Sequence, residues 1–176
     1  MDLGPVDRIT ADAVGEPGAR IFYIQARAGQ ALVTVIVEKE QVRLLAASVL
    51  ELLDDAAAEG PVDPEPEMGL EEPLDARWRA GRLSLGFDED RDLFLLEVEE
   101  YQPEAEEMEP DDPRTILPGE EPETIRLLAS TEQMLALSRH GAAVVARGRP
   151  TCQFCGNPMD PEGHVCPAMN GHSARV

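Results

Sequence analysis

All three cysteines and two of the three histidines fall within residues 152 to 172, CQFCGNPMDPEGHVCPAMNGH. Thiolates and imidazoles are the groups that zinc binds four at a time, tetrahedrally. Cys152 and Cys155 have the spacing of a zinc knuckle, in which both sulfurs face one ion and the amides between them turn toward it. Gly156 follows and frees the backbone for that turn. His164, Cys166 and His172 offer the other half of a site, and two closures fit. The compact one joins Cys152, Cys155, His164 and Cys166. The wider one takes His172 as fourth ligand in place of His164. The compact set is preferred; it expects a turn between His164 and Cys166, which Gly163 and Pro167 would favour.

Other chemistries fit this stretch less well. An odd number of cysteines makes a poor disulfide framework. A thioredoxin-like pair sits at a helix N-terminus, and PMDPEG is no helix start. A catalytic zinc keeps one position open for water, whereas four side chains here can close the shell. A small zinc-dependent hydrolase, with Glu162 as proton acceptor, is the alternative reading. Neither HExxH nor HxxEH is present, and the order of a zinc deaminase, histidine before Cys-x-x-Cys, is reversed. The expectation is a structural Zn(II). A tail almost without large apolar side chains cannot build its own core, and a metal would supply the missing folding free energy.

Charge narrows the classes of partner. The chain of 176 residues carries a formal net charge of −20. Residues 1–123 hold 32 acids against 10 lysines and arginines; residues 124–176 hold 3 acids against 5 arginines. A field of that sign repels phosphate backbones and anionic lipid and favours a basic protein partner. Arg147 and Arg149 form a small basic patch ahead of the cysteines. Anion or nucleic-acid binding there is a further alternative, and nucleic acid is disfavoured by the charge. MDLGPVDRIT shows no secretion signal, and the longest aliphatic stretch, ALVTVIV, is far short of a membrane span. A cytoplasmic protein is expected.

The elements that must position the tail follow from periodicity. RIFYIQA and LVTVIVE, joined by a short glycine-containing link, read as a hairpin. In KEQVRLLAASVLELLDDAAAEG, Val42, Leu45, Val49, Leu52 and Ala56 form one helical stripe, and Gly60 and Pro61 stop it. RLSLGF and LFLLEVEE read as a second hairpin around the acidic turn DEDR, which lacks the calcium-loop pattern of an EF-hand. TIRLLAS is a short strand. A helix from about 131 to 146 follows, with Ser130 and Gln133 at capping-box spacing. VGEPG near the start is a turn rather than a phosphate loop, because it fits no glycine-rich motif and carries Glu16. Residues 99–123, dense in proline and glutamate, read as an extended connection. No repeat is evident in the residues themselves.

The expected fold is α+β: a largely antiparallel sheet of hairpins packed by two helices, with a small C-terminal zinc-binding tail. Residues 1–148 form the domain, with an acidic excursion at about 99–123, and residues 149–176 form the tail packed on it. VGEPGARIFYIQA, EKEQVRLLA and ARGRPTCQFCGNPMDPEGHVCPAMNGH resemble domain-of-unknown-function family 3090, a family of actinobacterial proteins. The resemblance covers nearly the whole chain and implies one recurring unit that includes the metal tail. It carries no activity to transfer. Where the family usually places Pro-Arg after the last cysteine, this chain has Pro167 and Ala168, one positive charge fewer. The functional expectation is a non-enzymatic binding or adaptor protein with a structural zinc site.

Overall fold

The computed structural model describes residues 1–53, 67–103 and 121–148 and, in the tail, 152–155, 159, 164–169 and 173–174. Seven strands form one sheet: β1 (Asp2–Pro5), β2 (Arg8–Val14), β3 (Ile21–Ala28), β4 (Ala31–Val37), β5 (Ala76–Asp88), β6 (Leu93–Glu100) and β7 (Thr124–Ser130). Helix α1 (Lys39–Leu52) follows β4 and helix α2 (Thr131–Ala146) follows β7. The spatial order is β1-β7-β6-β5-β4-β3-β2. Neighbours are antiparallel except β1 with β7 and β4 with β5. The α+β class, the mostly antiparallel sheet and the two helices agree with the sequence. No helix among the described residues is long and apolar enough to cross a membrane.

The two ends of that order meet. β1 and β2 are separated by only Val6 and Asp7, whose backbone N–H groups donate to Leu128 O in β7 and Arg27 O in β3. Six strand spacings in a flat sheet would hold the edges about 29 Å apart, and two linking residues span roughly 11 Å. The sheet therefore curls until β1 and β2 act as one bent strand closing it. β5 does the same on the other side: its first residues pair with β4 and its later ones with β6, with an irregularity between Ala80 and Arg82. Strands that bend in this way make the corners of closed sheets.

This topology contains a repeat. β1–β2, β3, β4 and α1 are followed by β5, β6, β7 and α2 in the same arrangement. Thr34 and Ile36 face Ala76 and Arg79 across the parallel pair β4–β5, as Arg126 and Leu128 face Asp2 and Pro5 across β7–β1. Each helix has a glutamine in its first turn that accepts from the capping residue: Gln41 from Glu38 N–H and Gln133 from Ser130 N–H. Each glutamine also donates to a carbonyl on, or next to, the strand lying parallel to the one before its helix, Gln41 to Gly81 O in β5 and Gln133 to Val6 O just after β1. The buried positions of α1 (Val42, Leu45, Ala46, Val49) match in order Met134, Leu137, Ser138 and Gly141 of α2.

The core is aliphatic, as the scarcity of aromatics implies. Phe22, Ile24 and Ala26 of β3, Val33, Val35 and Val37 of β4, Phe94, Leu96 and Val98 of β6, and Ile125, Leu127 and Ala129 of β7 are buried together with the helix stripes. The helices meet through small residues. The Ser138 hydroxyl donates to Ala46 O, and a Cβ on Gly141 would lie 3.1 Å from Val42 Cγ1. Arg20 donates to the carbonyls of Val144 and Arg147 and so caps the end of α2.

The opening segment, for which the sequence suggests no element ahead of VGEPG, supplies β1 and β2, because Ile9, Ala11 and Ala13 alternate against the apolar side of β3. The VGEPG turn itself is present, with Gly15 and Gly18 at positive φ. α1 ends at Leu52, with Leu53 as its C-cap, short of the stop expected at Gly60 and Pro61; those two residues and most of the acidic excursion lie outside the described residues.

Candidate metal centre

α2 ends at Ala146, and the chain reaches Cys152 six residues later. The sulfur atoms of Cys152, Cys155 and Cys166 all lie within 4.8 Å of one another. Cys152 is 2 % exposed and Cys166 fully buried, while Cys155 is half-buried. Gln153, Phe154 and Cys155 form the turn that brings the first pair together. Phe154 within this turn is 56 % exposed.

One of the three sulfur spacings equals that of a tetrahedral metal site. Zn–S bonds of about 2.3 Å at tetrahedral angles place two sulfurs about 3.8 Å apart. The Cys152 and Cys166 sulfurs are 3.8 Å apart. A disulfide would need about 2.05 Å, and none of the three cysteines is in a disulfide. Three soft donors so gathered could hold one zinc-sized ion, which takes a fourth ligand in a closed structural site.

Met159 is the residue that the sequence reading missed. It is buried beside Cys152 and Cys166 and forms with them a separate small cluster. Its signal was a lone thioether between two prolines, too weak to separate from loop. The cluster supports the view that the tail has almost no core of its own: apart from the cysteines, Met159 is its one buried side chain among the described residues.

His164 lies in a two-residue strand, β8 (His164–Val165), paired with β9 (Ser173–Ala174). The turn expected between His164 and Cys166 is absent. The chain turns only after Cys166, in a single 3-10 turn at Pro167–Met169. The reason is geometric, since alternate residues of an extended chain face the same way and need no turn to share a ligand. His172 lies outside the described residues.

Of the basic patch, only Arg147 lies among the described residues. Arg147 is exposed at the end of α2, and Arg149 lies outside the described residues. His140, late in α2, is mostly covered, its Nε2 3.4 Å from Asp12 Oδ2 on β2. The covering partner was invisible because β2 itself was not foreseen.

A second polar cluster stands on the body, far from the cysteines in sequence. Glu71 accepts from Arg8 and Arg27, and the Arg27 guanidinium, then Arg8, hold its carboxyl below the usual carboxylate range. Arg8 also donates to the carbonyls of Glu67 and Gly69. Buried Gln25 donates to Thr34 Oγ1 and Glu71 O and accepts from Glu71 N–H. These contacts pin residues 67–71 across β2 and β3. Every group is matched within the protein, which makes the cluster a clamp rather than a reactive site.

No curated protein and no solved structure matches the chain. The profile of the family described as "Protein of unknown function (DUF3090)" matches residues 1–166, a span that takes in both halves of the sheet, both helices and all three cysteines. The chain belongs to the DUF3090 family.

Proposed function

We propose that the protein is a non-enzymatic binding or adaptor protein whose C-terminal tail, residues 149–176, is fastened to the 1–148 domain by a structural Zn(II). Cys152, Cys155 and Cys166 supply three thiolates, and His164 the fourth ligand in preference to His172. The 3.8 Å separation of two buried sulfurs carries this reading. Three further points support it. Among its described residues the tail has one small cluster in place of a core. His164 stands one residue from Cys166 in extended backbone. The family match includes His164 and stops short of His172. A closed shell of four protein ligands leaves no position for substrate water, so the metal's work is to fold the tail. The acidic body is left as the binding part.

Cobalt substitution tests the ligand set. Thiolate-to-cobalt charge transfer should report three sulfurs, and the visible bands should have tetrahedral intensity. Cys152→Ser, Cys155→Ser or Cys166→Ser should each abolish stoichiometric metal. His164→Ala should weaken metal binding by tenfold or more, with His172→Ala near wild type. Full metal retention in Cys166→Ser, with an exchangeable water on the ion, would overturn the structural reading.

A further inference from the structure

The two helix–strand interfaces that the repeat makes equivalent are not equally closed. On the α2 side, Ile9 and Ala11 of β2 and Val144 of α2 are buried, at 2 %, 0 % and 3 % exposure. Their counterparts on the α1 side are Leu83, Leu85 and Leu52. Leu83 and Leu85 are only half-buried, and Leu52 is 44 % exposed. Leu44, also on α1, is 51 % exposed. Between α1 and β5 lies a half-open cleft of about 490 Å³, walled by these four leucines with Leu45 and Gln41. The cause is side-chain size. Where α2 approaches through Gly141 and Ala11, the α1 side carries Val49 and Leu85. Ordinary folding pressure buries such a leucine wall, and nothing among the described residues covers it.

We infer that this cleft docks a basic amphipathic helix of a protein partner. Shape favours a helix. Leu44, Ser48 and Leu52 recur every four residues along α1, so the apolar trough follows a helix axis, as in helix-in-groove recognition. Charge selects a basic one. The arginines of α1 and the adjoining part of β5 are already neutralised: Arg43 by Glu40, Arg79 by Glu38 and Arg82 by Glu99. Glu51 on the rim carries no ion pair among the described residues, and the chain as a whole is at −20. A second copy of so acidic a chain would be repelled. The inference rests on the binding-protein reading above and deepens it, but it concerns the body and not the metal.

The test uses the full chain and a labelled helical peptide of leucine and lysine at heptad spacing, with a twin in which glutamate replaces lysine. Titration is followed by fluorescence anisotropy. The lysine peptide should bind and the glutamate peptide should not. Leu44→Asp with Leu52→Asp should weaken binding about tenfold or more, although it makes the chain more acidic. The milder Leu44→Ser with Leu52→Ser should act in the same direction. Leu95→Asp, at an exposed leucine on β6, should cause no loss. If attraction is charge alone, the aspartate pair will tighten binding, and the inference fails. It fails also if the wild-type chain does not bind the lysine peptide, or if Nile red fills the cleft and the peptide does not displace it. Cys166→Ser, which loses the metal, should bind the lysine peptide as the wild type does; a wild type that holds the metal but does not bind the peptide overturns the cleft alone.

Discussion

The two halves of the sheet share registers, caps and helix stripes, yet they use different chemistry at matching places. In the first half, the facing pair on β3 and β4 is Gln25 and Thr34, uncharged and buried. In the second half, that pair is Glu97 and Arg126, an ion pair whose arginine side chain is 58 % exposed. Arg8 faces Arg27 in one half, and both turn to Glu71; Arg82 faces Glu99 in the other and the two neutralise each other. The difference follows from what lies on top. Residues 67–71 cover the first half, so its polar groups must be matched inside the protein. No described segment covers the second, and water can solvate its charges. One backbone plan thus tolerates buried amides or surface salt bridges, and the cover decides which.

The deepest difference lies in the aromatic pair. Phe94 is fully buried and meets Phe87, its register partner, with ring centroids 4.6 Å apart. The equivalent Phe22 faces Ala13. Phe94→Ala should cost about 3–5 kcal/mol, to which loss of the ring pair adds about 0.5–1.5 kcal/mol. Phe22→Ala should fall at the lower end of the same range. Urea denaturation of both variants checks this, and equal losses would show that the ring pair contributes nothing to the asymmetry.

Next in size are the matching polar positions. Gln25→Ala strips Thr34 and both backbone groups of Glu71 of their partner, and an unsatisfied buried group costs about 1–3 kcal/mol. Glu97→Ala breaks a surface pair and should cost about 0–1 kcal/mol. Added salt should shrink the second effect and leave the first. Comparable losses at the two sites would mean that residues 67–71 do not make the first half special.

Much of this was readable beforehand where the signal is local. Val42, Leu45 and Val49 lie on one helical stripe, and Ser130 with Gln133 is a cap; both needed only nearest neighbours. The cysteine spacing was readable for the same reason, since Cys152 and Cys155 are brought together by one turn. β1 and β2 were not, because DLGP and RITADAV carry glycine, proline and aspartate and find their pairing only with β7 and β3. The repeat was hidden too. Its twin positions preserve register and burial but not residue type, as Gln25 against Glu97 and Gly141 against Val49 show. The cleft beside α1 depends on how closely two helices approach their strands, which periodicity does not encode.

The smallest expected effect concerns acid. Glu71 lies between Arg27 and Arg8, which lower its pKa in the folded chain. A carboxylate whose folded pKa is depressed contributes stability that is present above its unfolded pKa, about 4.3, and is lost as pH falls through the lower folded value. The first half should therefore loosen before the second as pH drops below about 4, although Glu123 near Arg77 is shifted the same way and will contribute to the global curve. Glu71→Gln removes the titrating group and keeps a hydrogen-bond acceptor. It should lower stability at neutral pH and flatten the acid limb, with the flattening concentrated in the amides of β2 and β3 when hydrogen exchange is followed by strand. An acid limb unchanged by Glu71→Gln, or one flattened equally in β6 and β7, would show that the clamp over the first half is not what the two arginines hold together.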